Sequence, residues 1–123
     1  MGELRILYVD DDADLRGIVK DQLNTAGYTM DEAEDGVAAT EMLDKGNYDL
    51  LLLDINMPGK TGIDVLKFIK DKGLKCRVIM LTGRVGFTVA TETLKLGADD
   101  YITKPFNIDY LLFSIKRVMG QTS

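Results

Sequence analysis

Asp49-Leu50-Leu51-Leu52-Leu53-Asp54-Ile55-Asn56-Met57-Pro58-Gly59 limits the possible folds of this chain more than any other stretch. Four consecutive leucines bounded by polar residues form a strand with no wet side, and a strand buried on both faces belongs to a sheet covered above and below. Asp54 stands where the apolar run ends, and Asn56, Pro58 and Gly59 then impose a loop. Open α/β sheets carry their ligand chemistry at this kind of position, beyond the carboxyl end of a central strand. Taken alone, Asp54 reads equally well as a turn-starting aspartate.

The flanking chain repeats one unit. Arg5–Val9 is an apolar run ending in Asp10-Asp11-Asp12, and Leu15, Ile18, Val19 and Leu23 then recur at helical spacing up to Gly27. Tyr28–Glu34 alternates, as an edge strand does, and Asp35-Gly36 turns into a helix marked by Ala38, Ala39, Met42 and Leu43 and closed by Gly46. After the leucine run, Thr61 or Gly62 opens a third helix, with Ile63, Leu66 and Ile69 inward and Gly73 at its end. Arg77–Leu81 is a fourth strand, followed by a helix carrying Val89, Ala90, Thr93 and Leu94 and stopped by Gly97. Tyr101-Ile102-Thr103 is a short fifth strand. Asn107 then caps a last helix with Ile108, Leu111, Leu112, Ile115 and Val118 inward. Strict strand–helix alternation with short connections implies a parallel sheet with right-handed crossovers and helices on both faces. The first, third and fourth strands are the most apolar and belong at the centre, so the expected fold is a single-domain α/β, doubly wound (βα)5, flavodoxin-like sheet of order 2-1-3-4-5.

Composition removes several classes of function. The chain has 123 residues and no histidine, so no histidine-based triad, metal site or internal phosphohistidine can be built. Its net charge of -5 argues against direct nucleic-acid binding, which uses a basic face. Cys76 is the single cysteine, so no internal disulfide forms, and its place at the head of an apolar run suits a small buried residue better than a nucleophile. No apolar run reaches membrane-spanning length and no signal peptide precedes the first strand, so a cytoplasmic protein is expected.

In a parallel sheet every strand's C-terminus points the same way. Asp10 and Asp11, Asp54, Thr82 and Lys104-Pro105 therefore collect at one end from four different strands. Each has an ordinary reading alone: helix N-terminal acids, a turn aspartate, an end-of-strand hydroxyl, a surface lysine. Their complementarity as a set points to chemistry. Clustered carboxylates repel, and a hard divalent cation such as Mg²⁺ relieves that with oxygen ligands. A lysine and a hydroxyl beside them suit a small dianion, so the set fits phosphoryl transfer to an aspartate. Near misses are instructive. Gly59-Lys60-Thr61 has the tail of a phosphate-binding loop, but Asp54 stands where that motif needs glycine; Asp10, Asp12 and Asp14 mimic calcium-loop ligands, but Leu15 takes the place of the loop glycine.

With these residues the chain resembles the receiver domain of two-component response regulators, the chemotaxis-regulator-like family. The resemblance rests on Ile6–Asp12, Leu53–Gly59, Val78–Gly83 and Gly97–Phe106 and spans about residues 4 to 119, leaving no output domain on this chain. It implies that Asp54 is the phosphoacceptor. Asp11, Asp54 and the backbone carbonyl of Asn56 would ligate Mg²⁺ or Mn²⁺, with Asp10 acting through water. It further implies that Lys104 pairs with Asp54 and then the phosphoryl group, that Thr82 swings in to it, and that Tyr101 follows as the coupled switch. The Lys104-Pro105 bond is expected to be cis. The resemblance also implies that Asn56 and Arg84 occupy positions where the family tunes dephosphorylation. The donor would be a histidine kinase or histidine phosphotransfer protein. The output would be a changed surface on helix four, strand five and helix five, including Thr91, Lys95, Asp99 and Lys116, read by a downstream protein. A monomer is expected, with dimerisation on phosphorylation as the alternative. Tyr8 departs from the small aliphatic usual in the first strand, and Gly83 from the alanine common after the switch threonine.

Two rivals remain open at this level. A phosphate-independent interaction module would not need the acidic pair with Thr82 and Lys104. An Mg²⁺-dependent phosphatase with an aspartyl nucleophile would want an acid where Asn56 stands, and a cap domain.

Overall fold

Ten elements alternate along the chain: β1 (Arg5–Val9), α1 (Ala13–Thr25), β2 (Thr29–Ala33), α2 (Gly36–Lys45), β3 (Leu50–Leu53), α3 (Gly62–Lys72), β4 (Arg77–Thr82), α4 (Phe87–Lys95), β5 (Asp100–Thr103) and α5 (Ile108–Val118). This computed structural model describes residues 4–55, 61–83 and 87–120, with the backbone alone at 87 and 88. All strand pairs are parallel, in the order β2-β1-β3-β4-β5 expected from the apolar ranking of the strands.

The pleat sorts each central strand onto two cores. Leu7, Val9, Leu51, Leu53, Val78 and Met80 face one side with Ala39 and Leu43 of α2 and Val65, Leu66 and Ile69 of α3. Ile6, Tyr8, Leu50, Leu52, Ile79 and Leu81 face the other with Val19 and Leu23 of α1 and Leu111 and Ile115 of α5. All four leucines of β3 are fully buried, as a strand covered on both faces requires.

Local chemistry sets the helix ends. Asp12, Asp35, Thr61 and Asn107 are N-caps whose side chains accept a backbone N–H of the first turn, and Thr61 with Asp64 forms a reciprocal capping box. Gly73 ends α3 in the left-handed conformation, at φ 65°. The apolar spacing misleads at two places: Ile18 and Leu94 are 59% and 51% exposed. On α1, Val19 and Leu23 take the buried stripe, and on α4 the fully buried position among the described side chains is Thr93, whose hydroxyl donates to the Ala90 carbonyl at 2.8 Å. Of the expected output surface, Lys95, Asp99 and Lys116 are exposed and Thr91 is half-buried. Among the described residues no helix is long and apolar enough to cross a membrane.

Candidate functional site

Register fixes the first two members. β1 and β3 are neighbours with Val9 beside Leu53, so the next residue on each strand, Asp10 and Asp54, lies side by side. The ladder continues one step past both strands: Asp54 donates its N–H to the Val9 carbonyl at 3.0 Å and Asp10 to the Ala33 carbonyl at 3.2 Å. Both carboxylates are buried, whereas Asp11 is exposed. Carboxylate oxygens of Asp10, Asp11 and Asp54 lie within 4.8 Å of one another. An all-oxygen acidic set with one exposed member fits a hard cation that retains water, as Mg²⁺ does.

Lys104 reaches this cluster from β5, where its N–H donates to the Thr82 carbonyl at 2.7 Å and continues the β4–β5 ladder. The Lys104-Pro105 bond is cis, as expected. Its ammonium donates to Asp10 Oδ2 at 2.6 Å and to Asp54 Oδ2 at 3.4 Å. The expected Lys104–Asp54 pair is therefore present, but Asp10 is the nearer partner. Burial lowers the Lys104 pKa, and the hydrogen bond and charge of Asp10 with the charge of Asp54 outweigh it, so the amine is held above its ordinary value.

Thr82 is fully buried at the end of β4, and its hydroxyl has no hydrogen-bond partner among the described residues. The half-buried Tyr101 likewise encloses a hydroxyl without a partner. Buried polar groups are rarely left so, and these two hydroxyls are both potential donors. Asn56 and Arg84 lie outside the described residues. Cys76 is half-buried, and burial, then the charges of Asp49 and Asp99, push its thiol up to about 12, which removes it as a nucleophile at neutral pH.

Three contributors escaped the sequence reading. Tyr8 donates its hydroxyl to Asp10 Oδ2 at 2.8 Å. A signal existed, since residues two apart on a strand share a face, but a tyrosine in an apolar run reads as core. Burial, then the neighbouring Asp10 charge, push the Tyr8 phenol far above its ordinary value, so it remains a donor. Arg16 donates to the Asp10 backbone carbonyl and pairs with Glu32 of β2 at 3.1 Å, locking the β1–α1 loop. Gly62 lies so close to β3 that a Cβ there would stand 2.3 Å from the Asp54 carbonyl oxygen, a closeness only the folded chain reveals.

A doubly wound α/β domain with an acidic pocket and a lysine at the carboxyl end of its sheet is the architecture of phosphorelay signalling switches. The model of the response regulator receiver domain matches residues 6–116, and the chain belongs to that family. It is 40% identical over 120 residues to the transcriptional regulatory protein DltR of Streptococcus agalactiae, covering 98% of this chain and 54% of that protein. It is 43% identical over 118 residues to the transcriptional regulatory protein CpxR of Escherichia coli, covering 96% of this chain and 50% of that one. The chain thus spans about half the length of these two regulators. Among solved structures, a CheY-like receiver domain protein from Methanospirillum hungatei superposes with a TM-score of 0.91 at 31% identity, over 98% of this chain and 96% of that one. The chemotaxis protein CheY4 of Vibrio cholerae superposes with a TM-score of 0.89 at 31% identity, over 95% and 99%.

Proposed function

We propose that this chain is a phosphorylatable switch that takes a phosphoryl group on Asp54. The observation that carries the reading is the pair of buried acids, Asp10 and Asp54, bridged by the Lys104 ammonium. A purely structural ion pair needs one acid. Here three stand together, with a buried Thr82 hydroxyl at the end of β4 that has no hydrogen-bond partner among the described residues.

Asp11 and Asp54 would hold Mg²⁺ or Mn²⁺ directly with the Asn56 carbonyl, and Asp10 through water. When bound, the ion offsets the negative charge of the carboxylates and of the incoming phosphoryl oxygens. An Asp54 carboxylate oxygen attacks phosphorus in line. The bond from phosphorus to the donor's imidazole nitrogen breaks, that nitrogen keeps the electron pair, and the phosphoryl group ends as an acyl phosphate on Asp54. The chain has no histidine, so the donor is another protein, a histidine kinase or histidine phosphotransfer protein, or a small acyl phosphate. Lys104 turns from its acid partners to the new phosphoryl oxygens, and Thr82 donates its hydroxyl to another. Movement of Thr82 vacates space beside Tyr101 and biases the α4–β5–α5 surface towards a downstream partner, a population shift driven by the added anion. The transcriptional role in the names of DltR and CpxR comes to this chain only as a suggestion that its partner acts on gene expression.

Intact mass after incubation with Mg²⁺ and acetyl phosphate tests the reading. One phosphoryl adduct in the wild type and none in Asp54→Asn is expected. No adduct from either acetyl phosphate or a phosphohistidine-bearing protein would overturn it.

A further inference from the structure

Asp10 is held at both oxygens of its carboxylate. Its Oδ1 accepts the Asp12 N–H at 2.9 Å, and its Oδ2 accepts both the Tyr8 hydroxyl at 2.8 Å and the Lys104 ammonium at 2.6 Å. The carboxylate has no exposure to solvent. Any event that draws Lys104 away would therefore leave a buried anionic oxygen short of a donor, which is costly unless a second donor remains in place. Tyr8 is that donor. It is itself fully buried, fixed by β1 and packed among Ile6, Leu52 and Leu81, so it cannot follow the lysine.

We infer that the Tyr8 hydroxyl is a positioning group that holds Asp10 Oδ2 while Lys104 transfers from Asp10 to the phosphoryl group on Asp54. It rests on the reading of Asp54 as acceptor. Without the hydroxyl, Asp10 keeps its lysine more tightly and the acceptor loses its counter-ion at the moment the phosphoryl group arrives. An aliphatic side chain at this strand position could pack equally well and supply no such donor, so the effect belongs to this chain's tyrosine.

Tyr8→Phe removes the hydroxyl and keeps the ring, so the core stays filled. Two measurements test the inference. The first is a urea-unfolding cycle in the absence of metal and phosphoryl donor, with wild type, Tyr8→Phe, Lys104→Ala and the double variant. If each group covers for the other at Asp10 Oδ2, Lys104→Ala shifts the unfolding equilibrium about tenfold further in the Tyr8→Phe background than alone, a coupling of about 1.4 kcal/mol. Additivity within twofold overturns the inference. Should the double variant be unfolded without urea, Lys104→Met, which keeps the apolar stem, takes the place of alanine. The second measurement is the rate of adduct formation from acetyl phosphate at saturating Mg²⁺, with Mg²⁺ affinity measured separately by calorimetry. Tyr8→Phe is expected to slow the adduct about tenfold with Mg²⁺ affinity not weakened. A rate within twofold of wild type, or a slower rate matched by weaker Mg²⁺ binding, overturns the lysine-transfer role. A wild type that takes no phosphoryl group at all overturns the acceptor reading instead, and leaves the unfolding cycle to decide whether Tyr8 and Lys104 share Asp10.

Discussion

Gly62 and Gly17 show how one substitution can carry opposite signs a few elements apart. A Cβ on Gly62 would stand 2.3 Å from the Asp54 carbonyl oxygen and 2.8 Å from the Ile55 Cα, both backbone atoms of the strand end that carries the proposed acceptor. Neither can yield without moving Asp54. Gly62→Ala is therefore expected to destabilise the fold by about 1–3 kcal/mol, as forced overpacking does, and to slow adduct formation on Asp54. Gly17 lies exposed inside α1 with nothing within 4 Å of an added Cβ. Gly17→Ala is expected to stabilise by about 0.5–1 kcal/mol, the ordinary helix-interior difference, with the adduct rate unchanged. Urea midpoints of the two variants beside wild type check both signs, and a Gly62→Ala protein as stable and as reactive as wild type would refute the close approach.

The elements were legible because their signals are periodic and local. The leucine run, the glycine stops, the Asp35-Gly36 turn, the opening at Thr61 or Gly62 and the cap at Asn107 each fix a boundary with a few residues. Strand adjacency followed from apolar rank, and it alone placed Asp10 next to Asp54. What stayed hidden was where long side chains end. Nothing in the spacing says that Lys104 lies nearer Asp10 than Asp54, or that Tyr8 turns its hydroxyl on the same oxygen. Periodicity also assigns too wide a stripe to a helix that covers only half a sheet face, hence Ile18 outside. That exposure has a consequence. Ile18 lines an apolar groove of about 350 Å³ with Leu15, Val19, Pro105, Phe106 and Lys104, and Lys104 also lines the acidic cluster. If a protein donates the phosphoryl group proposed for Asp54, it covers the ground beside the pocket, and this groove offers its apolar surface a seat. Ile18→Asp is expected to cut phosphoryl transfer from a phosphohistidine-bearing protein about tenfold or more, as loss of a buried apolar anchor does, and to leave transfer from acetyl phosphate unchanged. Equal losses with both donors would show instead that the substitution damages the pocket.

For the whole molecule the acidic end of the sheet is a stability deficit placed at the candidate site. Asp10, Asp11 and Asp54 bring three carboxylates within 4.8 Å, and the described residues set one ammonium, Lys104, against them. The net charge of -5 adds a general repulsion of the same sign. Asp11 is the exposed member, so removing its charge strands no buried partner. Asp11→Asn is thus expected to raise the thermal midpoint of the metal-free protein, because it relieves repulsion that the unfolded chain does not feel. Mg²⁺ should do the same to the wild type by binding the folded state alone, with a gain of about 2.7 kcal/mol at a hundredfold excess over the dissociation constant. The two gains draw on one source and should not add: in Asp11→Asn the Mg²⁺-dependent rise is expected to shrink or vanish. Thermal melts of both proteins with and without Mg²⁺ decide the matter. If Asp11→Asn is less stable than wild type without metal, the three acids are not in net conflict. If Mg²⁺ stabilises both proteins equally, the ion binds somewhere that does not involve Asp11.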